Sequence, residues 1–230
     1  MNAFKKIGVL GGMGALSSAN FYHQMIQYCQ HQYGAVQDAD FPAMMIYNYP
    51  LEGFDETGIV DRDLVVMQLT EALQALEQSG CEILVMVCNT VHALWEELQA
   101  SVSVPLVSLI TQVVEHVEDQ GYQKIGLLCS ETTNRLGLYA SEKMDIITPS
   151  DFQQKQLNQV IEHVMAGVQN DYDAKICKDI MYQMQRLGAE AVILGCTEIP
   201  LAIDQLQTDM KIFDTIELAV QAVVDFSLKN

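Results

Sequence analysis

The chain has 230 residues, half of them apolar and only 18% charged, so it can bury a full α/β core and excludes extensive disorder. A formal charge of −18 argues against nucleic acid, anionic membrane and polyphosphate partners, while a small anion held by local dipoles stays allowed. Six cysteines show neither a CxxC pair nor zinc spacing, and HExxH is absent, so no metal site is expected.

The first predicted strand is Ile7–Leu10, followed by the glycine loop Gly11-Gly12-Met13-Gly14. Ser17 or Ser18 is expected to cap a helix running to about Gln32. Ala43–Tyr49 reads as a second strand, and Pro50–Gly58 as an irregular loop. Asp61 starts a helix carrying Leu64, Val65, Leu69, Leu73 and Leu76, ended by Gly80. Ile83–Val87 is an uninterrupted apolar run, the mark of a strand buried on both faces of a parallel sheet. Cys88-Asn89-Thr90 follows directly. Val91, Leu94, Trp95 and Leu98 then stand at helical spacing. Pro105–Leu109 is a short strand, and Val113–Val117 lies in a helix closed by Gly121.

The second half begins with a strand at Lys124–Leu128 that passes into Ser130-Glu131-Thr132-Thr133. Ile146–Thr148 is a short strand, and Ser150 with Gln153 forms a capping box for a helix through Met165. A helix over Ala174–Leu187 ends at Gly188. The strand before Cys196 comes next, with Pro200 early in a helix. Ile212–Phe213 is the last strand, and Asp214 with Glu217 caps a final helix to Leu228. This alternation predicts mostly parallel sheets with right-handed crossovers.

Two echoes run through the chain. Gly80–Cys88 and Gly188–Cys196 both place Cys eight residues after Gly, with Glu at the third position (Glu82, Glu190). Lys6-Ile7-Gly8 returns as Lys124-Ile125-Gly126. Such self-similarity predicts two related α/β halves, each presenting one cysteine at an equivalent strand end. The expected division is 1–108, completed by about 213–230, against 109–212. Each lobe offers one thiol at the carboxyl end of a buried strand, where ligands of open α/β sheets bind. Amides at a helix start there favour a thiolate or a carboxylate. Two thiols facing one crevice suit proton removal on one face of a carbon and return on the other. The other cysteines, 29, 81, 129 and 177, read as core.

The glycine loop lacks the third glycine and the distal acid of a dinucleotide fingerprint, and no Walker lysine follows it. It reads instead as backbone lining the crevice. His92 reads as structural, bonding a strand carbonyl, and Glu198 either holds a substrate ammonium or caps a helix. Cysteines in apolar patterns, no long apolar core in Met1–Lys6 and no apolar run of membrane length lead to a cytoplasmic expectation.

Leu10-Gly11-Gly12-Met13-Gly14, Cys88-Asn89-Thr90-x-His92 and Gly195-Cys196-Thr197-Glu198 together resemble the aspartate/glutamate racemase family, its aspartate racemase branch most closely. The resemblance implies an α/β fold of two pseudo-symmetric lobes, each a mostly parallel sheet flanked by helices, with the active site in the cleft between them. It also implies an isomerase without pyridoxal phosphate or metal that acts on a free amino acid as a homodimer. Cys88 and Cys196 are then the acid/base thiols. Asn89, Thr90 and Thr197 hold the substrate's carboxylate or ammonium, aided by Met13, Gly14 and Thr132. Acid-specific members similar to this chain carry basic residues where it has Glu56 and Met165, so a neutral or cationic substrate side chain is expected, with Glu56 a partner for a cation. Arg135 is the candidate replacement for the missing basic groups. A silent amino-acid sensor and a cis–trans isomerase of a small dicarboxylate are the alternatives on this scaffold.

Overall fold

The computed structural model describes residues 4–55, 58–203 and 208–228. Glu56 therefore lies outside the described residues. In chain order the first half contains β1 (Ile7–Gly11), α1 (Ala15–Tyr33), β2 (Met44–Asn48), β3 (Phe54–Asp55), β4 (Gly58–Ile59), α2 (Arg62–Gln78), β5 (Ile83–Met86), α3 (Trp95–Ala100), β6 (Leu106–Val107) and α4 (Leu109–Asp119). The second half contains β7 (Lys124–Cys129), α5 (Glu131–Arg135), β8 (Asp145–Ile147), α6 (Asp151–Ala166), α7 (Asp171–Arg186), β9 (Ala191–Gly195), α8 (Ile199–Ala202), β10 (Lys211–Asp214) and α9 (Thr215–Ser227).

The strands form two parallel four-stranded sheets, ordered β2-β1-β5-β6 and β8-β7-β9-β10. Strand for strand the orders match. Thus β1 corresponds to β7, and β5, which leads to Cys88, corresponds to β9, which leads to Cys196. The echoed charged residues have a structural reason. Glu82 accepts the backbone N–H of Lys6 at 2.9 Å, and Glu190 accepts those of Gln123 and Lys124 at 2.7 and 2.9 Å. Each carboxylate thereby closes the open end of the strand beside it, where no ladder partner remains.

Helix faces follow the apolar spacing. In α1 the buried residues Phe21, Met25 and Cys29 recur every four positions, one stripe of a helix. They meet Ile7, Val9, Ile83 and Val85 on one face of the first sheet, together with Ile216, Val220 and Val223 of α9. Val65, Leu69, Leu73 and Leu76 of α2 cover the other face. Each such fully buried side chain stabilises the fold by roughly 1.5–3 kcal/mol. Leu157, Val160, Ile180 and Met184 cover one face of the second sheet, while Val113 and Val117 of α4 cover the other. Among the described residues no helix is long and apolar enough to cross a membrane.

Several local expectations shift. Gly14, not Ser17 or Ser18, is the N-cap of α1. Both serines lie inside the helix, where the Ser18 hydroxyl accepts the Gly12 N–H at 3.0 Å and donates to Gly14 O at 2.8 Å. Within and just past the Pro50–Gly58 loop, β3 pairs antiparallel with β4, Phe54 opposite Ile59 and Asp55 opposite Gly58. Helix α7 starts at Asp171 rather than Ala174, because Asn170 and Asp173 form a capping box that the apolar pattern does not reveal. The segment after Cys88 is a 3-10 turn, Thr90–Leu94, before α3. The cause is His92, whose Nδ1 lies 2.7 Å from Cys88 O, the carbonyl an α-helical bond would use. Its backbone N–H bonds Asn89 O instead. The capping box of Ser150 and Gln153 forms as read.

Candidate active site

A cavity of about 130 Å³ lies at the carboxyl ends of both sheets. Gly12, Met13 and Gly14 line it from the first loop, and Cys88, Asn89 and Thr90 from the end of β5. Cys196, Thr197 and Glu198 line it from the end of β9. Of the residues singled out in the sequence, these and Met165 share one chamber. Thr132 is not among the lining residues and packs against Gly58. Arg135 closes α5, is exposed, and is not among the residues lining the chamber.

The glycine loop is shaped by close approach. Gly12 has φ of +101°, and a Cβ there would strike the Tyr49 carbonyl. At Gly14 a Cβ would lie 2.9 Å from Glu198 Oε1, so the loop of one half closely approaches the acid of the other, and a side chain there would push the Glu198 carboxylate aside.

Cys88 and Cys196 are 5% and 8% exposed. Burial pushes the Cys88 thiol up to about 12, outweighing the N–H groups of Val91 and Thr90, which favour the thiolate. Cys196 is pushed well above the usual thiol range by burial, then by the Glu198 charge, and further by a charge on Cys88. The amides expected to hold a thiolate are present, but desolvation wins. Both groups rest as thiols.

Glu198 makes no capping bond. Its Oε2 accepts from Cys196 Sγ at 3.1 Å and Thr197 Oγ1 at 3.0 Å. Ser17 Oγ lies 2.8 Å from Oε1 and 3.0 Å from Thr197 O. A carboxylate this close to a buried thiol is within reach of its proton.

On the opposite side Thr90 Oγ1 sits 3.1 Å from Ser130 Oγ and 2.9 Å from Thr133 Oγ1. Asn89 Oδ1 accepts from Tyr139 OH at 2.6 Å, and its Nδ2 donates to Thr215 Oγ1 at 3.4 Å. His92 has both ring nitrogens committed. Nε2 accepts the Leu109 N–H at 3.1 Å, so Nδ1 carries the proton toward Cys88 O. Burial lowers His92 to about 4, and it stays a neutral brace.

Sequence reasoning passed over Ser17, Ser130, Tyr139 and Thr215 as site residues. Ser130 carried a signal, since it follows β7 as the glycine loop follows β1. The remaining lining comes from Leu51, Phe54, Asp55 and Ile161 with Met165. Among the described residues no Lys or Arg lines the chamber.

Two α/β halves meeting around paired thiols define a class of enzyme scaffold, and a family profile for Asp/Glu/hydantoin racemases matches residues 10–223. The chain belongs to that family. It is 27% identical over 222 residues to the broad specificity amino-acid racemase RacX of Bacillus subtilis (strain 168), covering 95% of this chain and 96% of that protein. The crystal structure of an aspartate racemase homologue from Pyrococcus horikoshii OT3 superposes with a TM-score of 0.80 at 28% identity, covering 97% of this chain and 99% of the other. The Picrophilus torridus aspartate racemase shares the fold, with a TM-score of 0.80 at 20% identity over 98% and 96% of the two chains.

Proposed function

We propose that this protein is a cofactor-independent amino-acid racemase that inverts Cα by proton transfer between two cysteines. The observation that carries this reading is the arrival of Cys88 and Cys196 in one cavity from equivalent strand ends. Family membership and the likeness to RacX support it.

In this reading Cys196 passes its proton to Glu198 as the amino acid binds, and the thiolate removes the Cα proton. The Cys88 thiol then delivers its own proton to the opposite face, and the roles reverse for the other enantiomer. The Cα–H is a very weak acid, so the developing charge on the carboxylate needs fixed donors. Asn89, Thr90 and Thr197 supply them, with the Met13–Gly14 loop. Around the side chain stand Leu51, Phe54, Ile161 and Met165, with Asp55 the acid of that end. A second substrate carboxylate buried there without a cation costs several kcal/mol. Neutral or cationic side chains are therefore preferred over aspartate, and Glu56 is a further partner for a cation.

The lobes in this reading are 1–108 with 213–230, and 109–212. The protein works as a homodimer in the cytoplasm, a setting supported by six free, buried cysteines.

The test is an amino-acid panel in deuterium oxide followed by chiral chromatography and mass spectrometry. A racemase inverts its substrate and carries solvent label to Cα. A silent sensor does neither, and fastest turnover of D-aspartate would overturn the side-chain preference.

A further inference from the structure

Tyr139 comes from the turn after α5, is 1% exposed, and touches both cysteine loops at once. Its hydroxyl donates to Oδ1 of Asn89, the residue after Cys88, at 2.6 Å. Its ring lies against Gly195, the residue before Cys196, where a Cβ would come within 3.0 Å of Cε2. From the other side Thr215 Oγ1 donates to Leu194 O at 2.9 Å, which leaves it free to accept from Asn89 Nδ2. Hydrogen bonds therefore run in one direction, from Tyr139 through Asn89 and Thr215 to the β9 carbonyl. Burial holds the Tyr139 hydroxyl protonated, with the cysteines and Asp214 adding to the effect, so it remains a donor.

We infer that Tyr139, with Thr215, is a positioning residue that fixes the polarity of Asn89, so that its side chain offers the chamber a single N–H donor directed at the substrate's α-carboxylate. An amide free to turn would present its oxygen as readily as its nitrogen, and would serve an ammonium equally well. Held between these two partners, it has one N–H left over, and Asn89 lines the cavity. This assignment rests on the racemase reading for the identity of the ligand, but it can fail separately.

The experiment uses the full chain and Tyr139→Phe, which keeps the ring against Gly195 and removes the hydroxyl. Thr215→Val attacks the same amide from its other side, and circular dichroism checks that each variant folds. Calorimetry then measures binding of 4-methylpentanoate, which is leucine without its amine, and of 3-methylbutylamine, which is leucine without its carboxylate. If the panel finds a better amino acid, its matching acid and amine replace this pair.

Either substitution should weaken the carboxylate about tenfold, the typical worth of one hydrogen bond to a charged group, and leave the amine within about twofold. For the amino acid itself, KM should rise by a similar factor with a smaller loss in kcat. In an Asn89→Asp background neither change should add anything, as a double-mutant cycle requires of a residue acting through another. Equal weakening of acid and amine, no weakening, or a wild type that binds no carboxylate would overturn the inference. Absence of Cα label with the acid–amine split intact would instead sink the racemase reading and leave the polarity of Asn89 standing.

Discussion

Cys88 and Cys196 end corresponding strands, yet within two residues their surroundings part. After Cys88 come Asn89, Thr90 and a 3-10 turn braced by His92, and the thiol faces the backbone N–H groups of Thr90 and Val91. After Cys196 come Thr197 and Glu198, and the thiol faces a carboxylate at 3.1 Å. Four residues on, His92 in one half is matched by Pro200 in the other. The repeat places two sulfur atoms, and the divergence gives only the second a carboxylate partner.

Replacing either thiol should break the pairing most severely. Cys88→Ser and Cys196→Ser are each expected to lower inversion by about 10³-fold, within the usual range for loss of a positioned acid or base. Each variant should keep Cα exchange for one enantiomer only, and the two should keep opposite ones. Proton NMR of L and D substrate in deuterium oxide reads this. Retention of the same enantiomer by both would mean the sulfurs do not face opposite sides of the carbon.

Acid should separate the halves next. The folded protein holds His92 at about 4, below the ordinary 6.5, so its contribution to stability is complete above pH 6.5 and fades as pH falls toward 4. The loss is on the order of 3 kcal/mol. In the second half Asp214, raised to about 6 by burial, acts in the opposite sense and gains stability as pH falls below 6. Denaturant melts at several pH values should therefore show the His92 loss as a gap between His92→Asn and wild type that grows in the variant's favour as pH falls from 6.5 toward 4.

Glu198→Gln sharpens the contrast in the chemistry itself. A racemase has an equilibrium constant of one, so weakening one base slows both directions alike, and the asymmetry appears only in single-cysteine backgrounds. Exchange by Cys196 in Cys88→Ser should fall about 10²-fold when Glu198 becomes Gln, and exchange by Cys88 in Cys196→Ser far less. Equal losses would remove Glu198 as the specific partner of Cys196.

The smallest effect tests the matched strands. A Cβ at Gly8 would meet Leu84 at 2.6 Å and the Cys81 side chain at 3.1 Å, whereas at Gly126 it would meet the Met184 sulfur at 2.8 Å. The thioether can yield where the Leu84–Cys81 wall cannot, so Gly8→Ala should cost about 2 kcal/mol and Gly126→Ala about 1 in urea melts.

Much of this comparison was legible in the sequence. Ile83–Met86 and Ala191–Gly195 are continuous apolar runs, and burial on both faces of a sheet leaves that signature without help from tertiary context. The glycine loop, both thiols and their polar followers were readable for the same reason, being local and in register with the repeat. What escaped was contact between distant segments. Ser17 reaches Thr197 and Glu198 across 180 and 181 positions, and Tyr139 reaches Asn89 across 50, with no periodicity to announce either. Ser17 even carried a false signal, because a serine near a glycine loop reads as a helix cap. The 3-10 turn was hidden because one side chain, His92, takes the carbonyl that propensity assigns to the backbone.

The chamber's smallness governs traffic as well as chemistry. About 130 Å³ is well under the room that binding clefts commonly provide, and its walls are stitched by Ser17 to Thr197 and Glu198 and by Thr90 to Ser130 and Thr133. An amino acid that hydrogen-bonds Thr90 or Thr197 there competes with the bonds these hydroxyls already make. Turnover in viscous solvent tests whether that exchange of hydrogen-bond partners limits the rate, by slowing in step with viscosity.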